Sequence, residues 1–284
     1  KSGFFMVNFN GNLIPQEEAK LSITNRGYSY GDSLFETIRV LNGKVIFWED
    51  HYFRLMSSMR ILRMDIPMAF SPEYLETQIK ETVQSKSLTN ARVKLQVHRK
   101  EGGLYSPKDR GIEFIIMATE LKEPFYMGKD QAYEIELFKD HYLTSGLLSS
   151  IKSNNKLINI LGSIYAEEND YANCLLINEN KSVVEALNGN LFLVKGNVIK
   201  TPPISDGCLN GVTRKQLINI IGKLEDYTLE EASISPFELQ KADELFITNV
   251  IVGIQSITKY RKKEFENTTA KSLLGKLNAH ARLS

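Results

Sequence analysis

Hydrophobic and polar positions alternate along this chain with two different periods. Val7 to Ile14 sets apolar residues on either side of Asn10-Gly11, a dipeptide suited to the tightest hairpin turn, and predicts two short antiparallel strands. Phe35 to Phe47 repeats the arrangement around Asn42-Gly43. Strand alternation there places Leu34, Glu36, Ile38 and Val40 on one face and Phe35, Thr37 and Arg39 on the other. The period then lengthens. Tyr52, Leu55, Met56, Met59 and Leu62 follow steps of three and four and predict a helix; Pro67 ends it and Ser71-Pro72 opens another. Ala91 to Val97 and Gly111 to Ala118 read as strands around a flexible Gly-containing loop. In the second half, Leu157, Ile160, Leu161, Ile164 and Tyr165 form a helical stripe. Ala172 to Ile177, Gly189 to Val194, Asn197 to Lys200 and Glu244 to Thr248 read as strands, and Lys215 to Ile221 as a helix.

Mixed periods of this kind predict an α/β (α+β) protein. The stretch from Glu120 to Gly128 carries proline and glycine and little pattern. The expected organisation is therefore a smaller α/β domain over 1–120, a linker over 121–128 and a larger α/β domain over 129–284. Composition narrows the class. Lys plus Arg number 35 against 34 for Asp plus Glu, a net charge of +1, which argues against a nucleic-acid binder. Hydrophobic residues make up 42% of the 284, enough for a sizeable core and too many for a disordered chain. No apolar run reaches the length of a membrane span, and the opening Lys1-Ser-Gly-Phe-Phe-Met lacks a leader's apolar core. Cys174 and Cys208 lie outside any CxxC pair, and the four histidines are scattered, so no metal site is expected. These features together predict a cytoplasmic protein, with no membrane or nucleic-acid partner.

Phosphate-loop, dinucleotide, nucleophile-elbow and zinc-protease motifs are all missing. The remaining candidates are single residues, each with two readings. Lys152 follows the apolar Gly146-Leu-Leu-Ser-Ser-Ile and precedes Ser153-Asn-Asn. It is either a half-buried lysine suited to Schiff-base chemistry or a solvated lysine at a helix start. Glu185 lies in Val183-Val-Glu-Ala-Leu; it either pairs with a protonated ring nitrogen or faces water from a strand. Gly211-Val212-Thr213-Arg214 opens a helix and offers N–H groups and a hydroxyl to an anion, or is plainly capped by Thr213 or Asn210. Thr248-Asn249 closes a strand with another hydroxyl. Arg54 either reaches the same anion or makes an ion pair.

Taken together and in this order, these residues resemble the class IV pyridoxal-phosphate enzymes, which include branched-chain and D-amino acid aminotransferases and 4-amino-4-deoxychorismate lyases. The resemblance runs from about Phe5 to Ser256. It implies a two-domain fold-type IV enzyme with pyridoxal 5'-phosphate at the domain interface, a small-molecule amine substrate and a homodimer. It also implies roles. Lys152 matches the Schiff-base lysine, and Glu185 the acid that keeps the pyridine nitrogen protonated. Arg54, Val212, Thr213 and Thr248 match phosphate ligands, and Leu209 a residue packed on the ring face. Asn190, Gly211 and Asn249 belong to the same cofactor-binding blocks. Tyr30, Phe35 and Thr37 fall in the run Asn25-Arg-Gly-Tyr-Ser-Tyr-Gly-Asp-Ser-Leu-Phe-Glu-Thr that lines the substrate pocket, while Arg99 and Tyr105 match substrate contacts.

Lyase and transaminase share Lys152 and Glu185, so only side features separate them. Thr248-Asn249, where branched-chain enzymes usually show Gly-Thr-Ala, and Asn155, three positions after Lys152, resemble lyase-like members. The expected activity is accordingly release of pyruvate from 4-amino-4-deoxychorismate to give 4-aminobenzoate. The alternatives are an aminotransferase of branched-chain or D-amino acids and a catalytically inactive binding protein of the same fold.

Overall fold

The computed structural model describes residues 5–284; Lys1 to Phe4, where the reading of a leaderless start begins, lie outside the described residues. The chain folds as two compact, sheet-rich units. One contains the residues up to Phe125 together with Lys152–Asn155 and Ser284. The other contains Tyr126–Ile151 and Lys156–Leu283.

The first unit is a six-stranded antiparallel sheet, with strands β1 (Met6–Phe9), β2 (Asn12–Pro15), β3 (Ser33–Leu41), β4 (Lys44–Val45), β5 (Ala91–Arg99) and β6 (Ile112–Glu120) in the order β2-β1-β6-β5-β3-β4. Both hairpin dipeptides behave as their sequence demands: Asn10 and Gly11 have φ of 52° and 91°, Asn42 and Gly43 of 50° and 75°. A short helix α1 (Arg26–Tyr30) precedes β3, and its N-cap Asn25 accepts from the Tyr28 amide. The longer α2 (Trp48–Ile61) and α3 (Pro72–Ser85) pack on the sheet face that carries Leu34, Ile38, Val93, Leu95, Phe114 and Ile116. Glu36 shares that face and is buried with it, at 1% exposure.

The second unit has two five-stranded sheets. The first runs β12-β11-β10-β13-β14, from β10 (Asn190–Lys195), β11 (Val198–Thr201), β12 (Thr228–Glu231), β13 (Glu244–Asn249) and β14 (Gly253–Ile257). The second runs β16-β15-β7-β8-β9, from β7 (Glu134–Phe138), β8 (Asn173–Ile177), β9 (Val183–Ala186), β15 (Lys259–Tyr260) and β16 (Lys263–Glu264). One core cluster joins them, built on Leu137, Leu175, Leu191, Leu245, Ile247 and Tyr260. Helices α4 (Leu157–Glu168), α5 (Val212–Ile221), α6 (Pro236–Leu239) and α7 (Thr268–Leu283) complete the unit.

Two differences from the sequence reading are instructive. The pattern analysis leaves 265–284 without an element; it forms α7, whose buried Ala270, Leu273, Leu274, Leu277 and Ala281 follow helical steps. The apolar stripe of α4 has the right period, but it is the other side that packs. Leu157 is 74% exposed, Ile160 52%, Leu161 42% and Ile164 46%, while Gly162 and Ala166 are buried. A β-carbon on Gly162 would stand 2.4 Å from Leu187 Cδ2, so the small residue is what lets the helix approach. No helix of the described residues is long and apolar enough to cross a membrane.

Candidate active site

In the first unit, the segment carrying Lys152 is bound to the edge of β3 as a short extra strand. Phe35 N donates to Lys152 O at 2.9 Å, Asn154 N donates to Ser33 O at 3.1 Å, and Ser153 pairs with Leu34. Asn155 continues this attachment: its Nδ2 donates to the carbonyl of Gly31, the left-handed C-cap of α1 with φ 66°. A β-carbon at Gly31 would meet Asn155 Oδ1 at 2.7 Å, so glycine is needed both for the turn and for the contact. The sequence reading assigns Lys152–Asn155 to the larger domain; backbone bonding to β3 packs it with the first unit instead. The half-buried Lys152 side chain thereby lies against Phe35, with Nζ 4.6 Å from the ring centroid.

On the opposite face of β3, Glu36 accepts from both sides. Arg54 Nε donates to its Oε1 at 2.8 Å and Arg54 Nη2 to its Oε2, while His51 Nδ1 lies 2.8 Å from Oε2. A carboxylate can only accept, so His51 carries its proton on Nδ1. Burial alone would raise the Glu36 carboxyl, but the charge and hydrogen bonds of Arg54 and the bond from His51 outweigh it and hold it at about 2. Burial pushes the His51 imidazole down, against the pull of Glu36, so the ring is held below its ordinary value. Arg54 therefore makes an ion pair with Glu36 in this structure.

A second network surrounds Asp32. Arg99 Nε and Nη2 donate to Asp32 at 2.8 and 3.1 Å, and Arg99 also donates to the carbonyls of Leu62 and Arg63 at 2.6 and 3.2 Å. Arg26 donates to Asp32 at 3.0 Å and to the carbonyls of Gly102 and Leu104. Burial would raise Asp32, yet the two arginines hold its carboxyl below the ordinary value. The fork of Arg99, expected from sequence as a substrate contact, is filled here by the protein itself, and it braces the end of α2. Tyr30 and the 89% exposed Tyr105 pack edge to face at 5.7 Å on the loops this network holds, and Thr37 is buried on the Phe35 face of the sheet.

The candidates of the second unit also converge. Glu185 on β9 is half-buried, and its Oε2 accepts from Leu209 N at 3.0 Å. Asn190 Nδ2 donates to Leu209 O at 2.8 Å, and Asn190 pairs across the sheet with Thr248. A β-carbon at Gly211 would stand 2.1 Å from Asn190 Oδ1, so Asn190 and Gly211 together shape the loop that leads into α5. Gly211 is the N-cap of α5 and no side chain caps it, which answers the capping alternative. Val212 and Thr213 follow as its first residues. Thr213 and Thr248 are each 1% exposed, and neither hydroxyl oxygen has a hydrogen-bond partner among the described residues. Such burial costs on the order of 1–3 kcal/mol per group. Asn249 is occupied locally: its Oδ1 accepts from the amides of Ile251 and Val252, and its Nδ2 donates to Asn188 O. The buried thiols of Cys174 and Cys208 are pushed up to about 11 and about 12 by burial and stay protonated.

This ordered set has a counterpart in known proteins. The family model for amino-transferase class IV matches residues 33–260. The chain belongs to the class IV aminotransferase family. Members are pyridoxal-phosphate-dependent aminotransferases and lyases of fold-type IV, and this chain is such an enzyme. It is 30% identical over 272 residues to a Methanocaldococcus jannaschii protein provisionally named a branched-chain-amino-acid aminotransferase, covering 95% of this chain and 93% of that one. It is 29% identical to the D-alanine aminotransferase of Bacillus licheniformis, covering 89% and 87%. Among solved structures it resembles the branched-chain aminotransferase of Thermoproteus uzoniensis, crystallised with norvaline, with a TM-score of 0.86 and 25% identity over 96% of this chain and 93% of that one.

The residues present fit the family's cofactor. An uncapped helix start with two unpartnered buried hydroxyls beside it suits a phosphate. A carboxylate whose orientation is set by a backbone amide suits a protonated ring nitrogen. Sequence reasoning passes over His51, Asp32 and Lys94. Asp32 stands inside a block it quotes and His51 three positions before Arg54, and a buried charge needing a partner is the signal that finds them.

Proposed function

We propose that this class IV enzyme is an aminotransferase acting on branched-chain or D-amino acids with pyridoxal 5'-phosphate. The observation that carries the reading is the placement of Lys152: its backbone is pinned to β3 and its ammonium lies against an aromatic ring. The names of the relatives favour amino transfer over the lyase reaction. The two features that lean toward the lyase lose their weight in the fold, since Asn249 builds a turn and Asn155 anchors to Gly31.

When bound, the cofactor supplies an electron sink for the substrate α-carbon. Lys152 Nζ would be its attachment point and the group that moves the proton at that α-carbon. Glu185, oriented by the Leu209 amide, supplies the counter-charge for the pyridine nitrogen. The first amides of α5 and the hydroxyls of Thr213 and Thr248 hold the phosphate. Phe35 and Thr37 line the substrate side. Two copies associate through the face of α4 that exposes Leu157, Ile160, Leu161 and Ile164. Sedimentation of the Leu161→Lys variant tests this and should give a monomer.

The decisive experiment presents the cofactor-loaded protein with a panel of L- and D-amino acids. Loss of the visible cofactor band with release of the matching keto acid is expected. No response to any amino acid, with pyruvate released from 4-amino-4-deoxychorismate, would return the lyase reading.

A further inference from the structure

We propose that Lys94 receives the carboxylate of the substrate, so that the enzyme takes amino acids in preference to simple amines. The inference rests on the aminotransferase reading above and deepens it. Lys94 lies on β5 opposite Thr37, on the face of the sheet that carries Phe35. Its Nζ stands 5.0 Å from the Phe35 ring centroid, and Lys152 Nζ stands 4.6 Å from the same centroid. One phenylalanine is thus bordered by the ammonium that carries the chemistry and by a second one that the chemistry does not use.

The second ammonium lacks what a half-buried cation ordinarily has. No carboxylate or hydrogen-bond acceptor of the described residues pairs with Lys94. Its neighbour two positions along the same face is Arg92, another cation, and its cross-strand neighbours Thr37 and Met117 carry no charge. Arg39, also on this face, donates to the carbonyls of Glu123 and Phe125. Burial first, and then Arg92, push the Lys94 ammonium below its ordinary range. The face of Phe35 only partly offsets that burial, as a cation–ring contact does. A carboxylate would complete the pair. Arg99, the carboxylate contact expected from sequence, cannot supply it because Asp32 and two carbonyls already fill its fork. In an amino acid the nitrogen and the carboxylate share one carbon. A substrate whose nitrogen lies beside Lys152 at one border of the ring therefore presents its carboxylate close by, toward Lys94, which has no partner among the described residues.

The test compares wild type with Lys94→Met, which keeps the chain length and removes the charge, and with Lys94→Arg, which keeps the charge. The ratio of kcat/KM for valine over isobutylamine, the same molecule without its carboxylate, should fall about tenfold to a hundredfold in Lys94→Met and recover in part in Lys94→Arg. Calorimetric titration with 4-methylpentanoate, which needs no turnover, should show the same loss of affinity. A third measurement needs no variant: 4-methylpentanoate should protect Lys94 of the wild type from reductive methylation, and isopentylamine should not. An unchanged ratio and affinity in Lys94→Met, or an unprotected Lys94 in the wild type, would overturn the assignment. A wild type that binds and protects with 4-methylpentanoate but transfers no amino group would instead leave Lys94 standing and remove the aminotransferase reading.

Discussion

Two sets of buried polar groups, one in each unit of this enzyme, are treated in opposite ways. In the first unit, Glu36 is held between Arg54 and His51, and Asp32 between Arg26 and Arg99, so each buried carboxylate meets charged donors of its own chain. In the second unit, Thr213 and Thr248 bury neutral hydroxyls that have no hydrogen-bond partner among the described residues. Paired charges hold a shape, because removing either partner strands the other in a poor solvent. Unpaired hydroxyls beside a helix start hold a place open, because their hydrogen-bonding capacity is spent only when a ligand arrives. The contrast separates residues that brace the site from residues that bind in it, even where the sequence assigns both kinds to binding.

The largest effect expected from this contrast is on stability. Arg99→Ala leaves Asp32 with Arg26 alone and frees the carbonyls that end α2, and should cost about 3 kcal/mol in urea unfolding while leaving the KM for the amino acid substrate nearly unchanged. A raised KM with undiminished stability would return Arg99 to the substrate site. Acid should reveal the other paired cluster. Glu36 ionises at about 2 in the fold and near 4.5 in the unfolded chain, so its contribution is complete above pH 4.5 and is lost as pH falls toward 2. The loss is on the order of 3 kcal/mol. His51, also lowered, acts in the same direction from about pH 6.5 downward, since the unfolded ring takes up a proton first. Unfolding midpoints measured across this range should fall in wild type, and Glu36→Gln should lack the part below pH 4.5. The smallest effect on stability belongs to the hydroxyls. Thr213→Val and Thr248→Val should leave the cofactor-free protein as stable or more stable by up to about 1 kcal/mol, yet weaken binding of inorganic phosphate or pyridoxal 5'-phosphate about tenfold each. If either valine variant destabilises the cofactor-free protein and binds phosphate normally, that hydroxyl is a brace and the contrast fails there.

The legible part of the molecule was local. Asn-Gly turns, the alternation of β3 and the stepped apolar residues of α2 state their conformations within a dozen positions, because backbone sterics and burial of one face need no distant partner. The ordered blocks around Lys152, Glu185 and Thr213 likewise point to the cofactor's chemistry through residue type and order. What stayed hidden depends on distance in sequence. The stripe of α4 has a helix's period, but which side of the helix packs was settled by Gly162 meeting Leu187 and Phe138.

The amino-acid sequence by itself determined most of the strands, turns and helices, and the family. Only the tertiary structure decided that Arg99 is consumed by Asp32, that Asn155 and Asn249 are anchors, and that Lys94 borders the same ring as Lys152 without a partner among the described residues. The physical reason is that a charge is a brace or a binder according to what fills its hydrogen bonds. Residues 67 positions apart, such as Asp32 and Arg99, fill one another's only once the chain has folded.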